Sequence, residues 1–179
     1  MKNVLKHLNK ILIHKWWVFY YAYKFGIMWQ GLIHDLSKFS WVEFKESIKF
    51  YQGDKSPIPI AKEVQGYSEA WLHHKGRNKH HYEYWVDWNE SGVRFFTPMP
   101  YKYVLEMIAD YLGAYRAYNG YMDYSEEFKW WQKKRVHALM HPVTKQLVTN
   151  ILLDLLNGEF KNSNRINFWK DWYEKEIRK

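Results

Sequence analysis

Between Asn3 and Phe25 no residue breaks a helix, and Val4, His7, Ile11, His14, Val18 and Tyr21 follow one another at three- and four-residue steps. That period is one face of a helix. A second apolar line, Leu5, Leu8, Leu12, Trp16 and Phe19, widens the surface expected to be buried. His14 lies at an inward edge, while His7, nearer the frayed end, reads as structural. Similar signals recur along the chain. A second helix takes up around Met28 and carries His34 and Asp35 near its end. Ser40 with Glu43 forms a capping box for a helix through about Tyr51. Residues 67–74 read as helical. After a turn at Gly76 and Asn78, His80 begins a short helical segment to about Trp88. Pro100 sits at the first turn of a long helix to Tyr118, residues 125–140 form another, and Pro142 opens one that Gly158 terminates. Residues 167–179 make an amphipathic tail helix. Residues 53–59, with Pro57 and Pro59, read as a loop, and residues 90–100 as a turn region with a short extended piece at 93–96. The fold class is all-α.

The length of 179 residues fits one domain. The chain has no cysteine, which excludes disulfides, thiolate zinc sites and a cysteine nucleophile. Any metal must therefore be held by imidazole and carboxylate, a set that suits Mn, Fe, Co, Ni or Zn. The formal charge of +8 is uneven, because Lys2, Lys6, Lys10, Lys15 and Lys24 all precede the first acidic residue, Asp35. Such a face favours anionic partners: a phosphorylated metabolite, nucleic acid or an acidic membrane surface. Residues 16–33 are rich in apolar rings, but Lys24, Gln30 and several tyrosines interrupt them, so no membrane span is expected. The amino terminus lacks the apolar run and cleavage site of a signal peptide, and cytoplasmic residence is the default.

Five of the nine histidines stand, with Asp35, in two short segments, residues 31–39 and 70–85. Histidine is the commonest metal ligand and titrates near neutrality. In chain order the candidate ligands are His14, then His34 and Asp35, then His73 or His74, then His80 or His81, then Asp110. Asp110 shares a helix face with Tyr103, Met107, Ala114 and Ala117, where small residues let another helix approach, so it needs a cation or hydrogen bonds inside. Glu106, one turn earlier, and Glu83 are candidate acceptors for imidazole N–H groups. Lys38, one turn beyond Asp35, is placed to neutralise a phosphate oxygen, and Arg77 and Lys79 to hold the rest of an anionic substrate. His137 and His141 are four apart, but Pro142 makes them a structural junction. There is no Walker loop, dinucleotide glycine pattern or Gly-x-Ser-x-Gly elbow.

The ordered set His14, His34-Asp35, His74, His80-His81 and Asp110 resembles the HD-domain metal-dependent phosphohydrolase superfamily. The runs His34-Asp35-Leu36-Ser37-Lys38-Phe39 and Asn78-x-His80-His81-x-Glu83-x-Trp85 also resemble a small bacterial and phage family of unassigned function. The resemblance implies a single helical bundle of HD-domain type over residues 1–179. Its motif core spans residues 6–118, with helices over 125–179 packed on it. It implies one or two divalent ions held by His14, His34, Asp35 and Asp110, with His74 and either His80 or His81 completing a second site that Asp35 would bridge. No Gly-Tyr-Pro motif follows His81, which sets the chain apart from the cyclic dinucleotide branch. The expected activity is hydrolysis of a nucleotide or other phosphoester by metal-activated water, with Asp35 and Lys38 as catalytic residues. Two alternatives stand beside it: a nucleic-acid-binding module, suggested by the charge and the aromatic content, and a degenerate metal-stabilised interaction protein.

Overall fold

Two long helices, α1 (Lys2–Lys24) and α6 (Tyr101–Asn119), form the most extensive helix pair of the fold. They approach closely because Gly113 has no side chain: a Cβ there would stand 2.6 Å from Val18 Cγ2 and 2.9 Å from the Val18 backbone nitrogen. The computed structural model describes residues 2–53, 56–160 and 163–179 of the chain. After α1, Gly26 adopts φ +73°, a left-handed conformation that glycine takes without steric cost, and the chain reverses into the short α2 (Met28–Ile33). Gly31 lies against Ala22 and Phe19 and brings α2 onto α1. A 3₁₀ turn, Leu36–Phe39, leads into α3 (Trp41–Phe50), where the Glu43 N–H donates to the Ser40 hydroxyl. Next come α4 (Pro57–Gln65) and α5 (Glu69–Arg77), both packed on α3. Glu46 of α3 ties their junction, accepting from the Ser68 hydroxyl, the Glu69 N–H at 2.9 Å and Gln65 Nε2 at 3.1 Å.

A 3₁₀ turn at Tyr82–Trp85 and a hairpin of β1 (Val86–Trp88) and β2 (Arg94–Phe96) return the chain to α6, with Val86 opposite Phe96. Three helices complete the fold: α7 (Tyr124–His137), capped by the Asp123 carboxylate; α8 (Pro142–Leu156); and α9 (Ser163–Glu176). The main core is a single cluster. Val18 and Ala22 of α1 meet Leu105, Ile108 and Leu112 of α6, Trp131 of α7, Leu147 and Ile151 of α8, and Tyr173 of α9. The molecule is all-α apart from that one hairpin.

Four sequence expectations are corrected. Pro57 and Pro59 do not mark a loop: Pro57 occupies the first turn of α4, where its missing N–H costs nothing. Of the loop expected over 53–59, residues 54 and 55 lie outside the described residues. The segment from His80 to Trp88 is not a helix but a turn running into the hairpin, whose partner strand overlaps the extended piece expected at 93–96. The helix of residues 125–140 stops at His137. Finally, the second apolar line of α1 is not buried, for Leu5, Leu12 and Trp16 are 67%, 51% and 59% exposed. The junction at His137 and His141 is structural as expected: His137 is exposed, and the His141 ring accepts from the Val143 N–H at the start of α8.

Candidate metal centre

Helix α2 stops at Ile33, so His34 and Asp35 stand just beyond its end rather than on it. Asp35 has φ +54°, the only positive φ of a non-glycine residue among those described. Aspartate tolerates this region better than most residues, yet its occupation still stores strain of the kind that accumulates at functional sites. The kink solves a problem that a regular helix poses. Adjacent helical side chains diverge by about 100°, whereas here the His34 Nε2 and an Asp35 carboxylate oxygen lie 3.2 Å apart. Lys15 of α1 fixes the bend by donating to the carbonyls of Leu32 at 2.7 Å and His34 at 2.8 Å.

Asp35 is the hinge of two clusters. On one side, its Oδ2 faces His14 from α1 and His34, and both imidazoles also face Asp110 of α6, with Nε2 to Oδ1 distances of 3.1 and 3.4 Å. On the other side, its Oδ1 faces His74 Nε2 of α5 at 3.2 Å and His80 Nε2 at 3.4 Å, with the His81 ring packed on both. Ligand atoms near 2.1 Å from a common ion, at angles between octahedral and tetrahedral, stand about 3.0–3.4 Å apart. Most of these separations fall in that interval. Most of the facing atoms lack ordinary partners: the Nε2 atoms of His14, His34, His80 and His81 and the Asp35 Oδ1 are buried without a hydrogen bond, while Asp35 Oδ2 also meets the Lys38 ammonium. Buried polar groups are rarely left so. The residues fit metal ions, and two groups, His14-His34-Asp35-Asp110 and Asp35-His74-His80-His81, each bring their ligand atoms together closely enough to hold one.

The outer atoms of the imidazoles are fixed by carboxylates. Glu106, one turn before Asp110 on α6, accepts from His34 Nδ1 and His80 Nδ1, both at 3.1 Å. Glu43 of α3 accepts from His74 Nδ1 at 2.8 Å and His73 Nδ1 at 2.7 Å. A carboxylate can only accept, so these Nδ1 atoms carry the proton and each Nε2 lone pair is free to face inward. The group His34-His80-Glu106 can also be drawn as a ligand set, but its shared contacts run through the Nδ1 atoms, which makes Glu106 an orienting carboxylate. Glu83 does not join it: it lies beside the Tyr82 hydroxyl and the Lys134 charge.

Four carboxylates, Asp35, Glu43, Glu106 and Asp110, surround a centre where the nearest ammonium is Lys38, 2.5 Å from Asp35 Oδ2. The imbalance shows in the titration of the groups. Burial alone would lower His34, but Asp35, with help from Asp110 and Glu106, raises it well above the ordinary value. His74 is likewise opposed by burial yet lifted to about 9 by Asp35 and Glu43. Burial would raise Asp35 and Asp110, but their cationic neighbours hold both well below the carboxylate range. A field that draws protons onto two buried imidazoles also draws divalent cations. His81 goes the other way, driven down by burial and by His80 and His74, and stays neutral as a ligand must.

A cavity of about 210 Å³ opens onto this centre. His14, Asp35, Lys38, His74, His81 and Asp110 form its polar side, and Ile11, Pro57, Ile58, Trp71, Ala114 and Tyr118 its apolar wall. His7 reaches the cavity too, its ring tilted against that of Tyr51 at 4.6 Å, and burial, with Lys38 nearby, lowers its pKa to about 4. Arg77 and Lys79 are exposed and lie outside the cavity lining. Sequence reasoning placed His14, His34, Asp35, His74, His80, His81, Asp110 and Glu106, all of which converge. It missed Lys15 and the orienting role of Glu43, which reads in the sequence only as the third helical residue of a capping box. No curated protein and no solved structure matches the chain. A family model does match residues 3–154, and the chain belongs to that family of unknown function (DUF5662).

Proposed function

We propose that this chain is a metal-dependent phosphohydrolase of HD-domain type, in which Asp35 joins two ion sites and a phosphoester is hydrolysed in the cavity beside them. The observation that carries the reading is Asp35 itself, a 4% exposed carboxylate in a strained conformation, whose Oδ1 faces only imidazole Nε2 atoms and whose Oδ2 faces two more beside the Lys38 ammonium. His14, His34, Asp35 and Asp110 would hold one ion, and Asp35, His74, His80 and His81 the other. Bound divalent ions would supply a water of lowered pKa and polarise a phosphoryl oxygen.

The remaining chemistry belongs to the chain. Glu106 and Glu43 keep three imidazoles in one tautomer, so the inward lone pairs need no reorganisation. Lys38 is raised in pKa: burial opposes, but Asp35 and Asp110 outweigh it, and its ammonium keeps its charge at the cavity face. There it neutralises an oxygen of the incoming ester. Trp71, Ile58 and Tyr118 receive the organic part and exclude bulk water.

The reading is tested by turnover of a panel of phosphomonoesters, phosphodiesters and nucleotides with Mn, Fe, Co, Ni and Zn supplied in turn. At least one ester should be cleaved in a metal-dependent way by the native chain and not by Asp35→Ala. Stoichiometric metal with no turnover anywhere on the panel would instead support a metal-stabilised interaction protein.

A further inference from the structure

The exposed line on α1 does not stand alone. Leu5, Leu12, Trp16 and Tyr23 recur at helical spacing on its outer side, and the Trp16 ring packs 6.2 Å from that of Phe19. Phe19 in turn borders Gly31, so α2 extends the same surface. There Met28, Trp29, Leu32 and Ile33 are between 45% and 66% exposed. Trp16 and Trp29 alone, at 59% and 66% exposure, leave about 250 Å² of ring open, given roughly 200 Å² for a whole indole side chain. With the aliphatic neighbours the patch exceeds what a monomeric surface ordinarily leaves bare.

Its charge is one-sided. Between residues 4 and 45 the chain contains two carboxylates, Asp35 and Glu43, and both are buried at the metal centre. The exposed charged groups of that stretch are Lys6, Lys24 and Lys45, and the two on α1, next in the chain to Leu5 and Tyr23, flank its apolar line, Lys24 over the Tyr20 ring. Indole rings and branched aliphatics flanked by long-stemmed lysines, with no exposed acid in the stretch, match the headgroup region of an anionic bilayer. Rings enter its apolar boundary there and ammonium groups meet phosphate. A second copy of the same face would bring lysine against lysine. No helix among the described residues is long and apolar enough to cross a membrane, so the contact is with a surface.

We propose that the α1–α2 face is a docking surface for an anionic phospholipid bilayer. Sedimentation of the full chain with vesicles of phosphatidylglycerol and phosphatidylcholine in a 1:3 ratio, against pure phosphatidylcholine, tests it. Binding should be at least tenfold stronger to the anionic vesicles and weaken with salt. It should fall at least tenfold in W16S/W29S and in K6E/K24E, with helicity by circular dichroism unchanged. Equal binding to neutral vesicles, or none to either, would overturn the proposal. So would a dimer in light scattering that W16S/W29S dissolves while vesicle binding is absent, which assigns the face to a second copy.

Discussion

Asp35 and Asp154 are buried to nearly the same degree, 4% and 5% exposed, and only Asp154 has both oxygens closed by donors of the protein. Asp154, on α8, accepts from Arg165 at both oxygens, 2.5 and 2.8 Å, and from Trp169 Nε1 at 2.6 Å. Nearby, the Tyr173 hydroxyl donates to the Met99 carbonyl and bonds Thr144. In this C-terminal region every buried polar group named here is closed by another part of the chain, as buried polar groups usually are. Around Asp35 the chain assembles the opposite: one lysine reaches Oδ2, and otherwise carboxylate oxygens and imidazole nitrogens stand at ligand spacing, aimed at one another. The difference separates an aspartate that holds the fold from one whose neighbours could hold a cation.

That contrast breaks most sharply under alanine substitution. Asp35→Ala should abolish binding at both ion sites and lower any turnover by a factor of about a thousand or more, because it removes the ligand common to both. Asp154→Ala should leave metal content unchanged and cost about 2–4 kcal/mol in denaturant unfolding, since Trp169 loses its acceptor and Arg165 its bidentate partner, keeping Glu159. Were Asp154→Ala to lose metal as well, the two regions would not be independent.

Glu127 of α7 sits between them. Burial, with Asp110 adding to it and Lys134 opposing, raises its pKa from 4.5 to about 8. A carboxyl raised in the folded state contributes stability that is complete below its unfolded value and is lost as pH rises through the folded one. The native chain should thus lose about 4 kcal/mol relative to Glu127→Gln between pH 4.5 and 8, read from paired unfolding curves. Parallel curves would show that burial does not hold the Glu127 carboxyl in its protonated form. Smaller still, Glu43→Gln should weaken metal affinity about 10- to 100-fold by freeing the His74 ring, with the fold intact. Calorimetric titration should assign that loss to one of two binding events. Equal loss at both events would mean that the clusters do not load separately.

The two regions were unequally legible in the sequence. Helices with strong punctuation, such as α6 after Pro100 or α8 between Pro142 and Gly158, read directly. The ligands read well because histidine and aspartate at those places had few structural uses. The helix α4 was hidden because two prolines mark a first turn and a loop alike. The kink at Asp35 left no trace, since a left-handed aspartate depends on what holds it, here Lys15 reaching two carbonyls. The two apolar lines of α1 have the same period, and only the packed partner helices decide that one is core and the other surface. Glu43 was invisible for the same reason: its value lies in His74 and His73, 31 and 30 residues away.

The central claim, that the protein leaves Asp35 to be completed by metal, is tested most directly by elemental analysis of freshly purified chain beside its Asp35→Ala variant. The account predicts two divalent ions per native chain, none in the variant, and a melting temperature that falls on chelation only for the native protein. A native chain without metal, whose melting is indifferent both to chelator and to added Mn, Fe, Co, Ni or Zn, would contradict it.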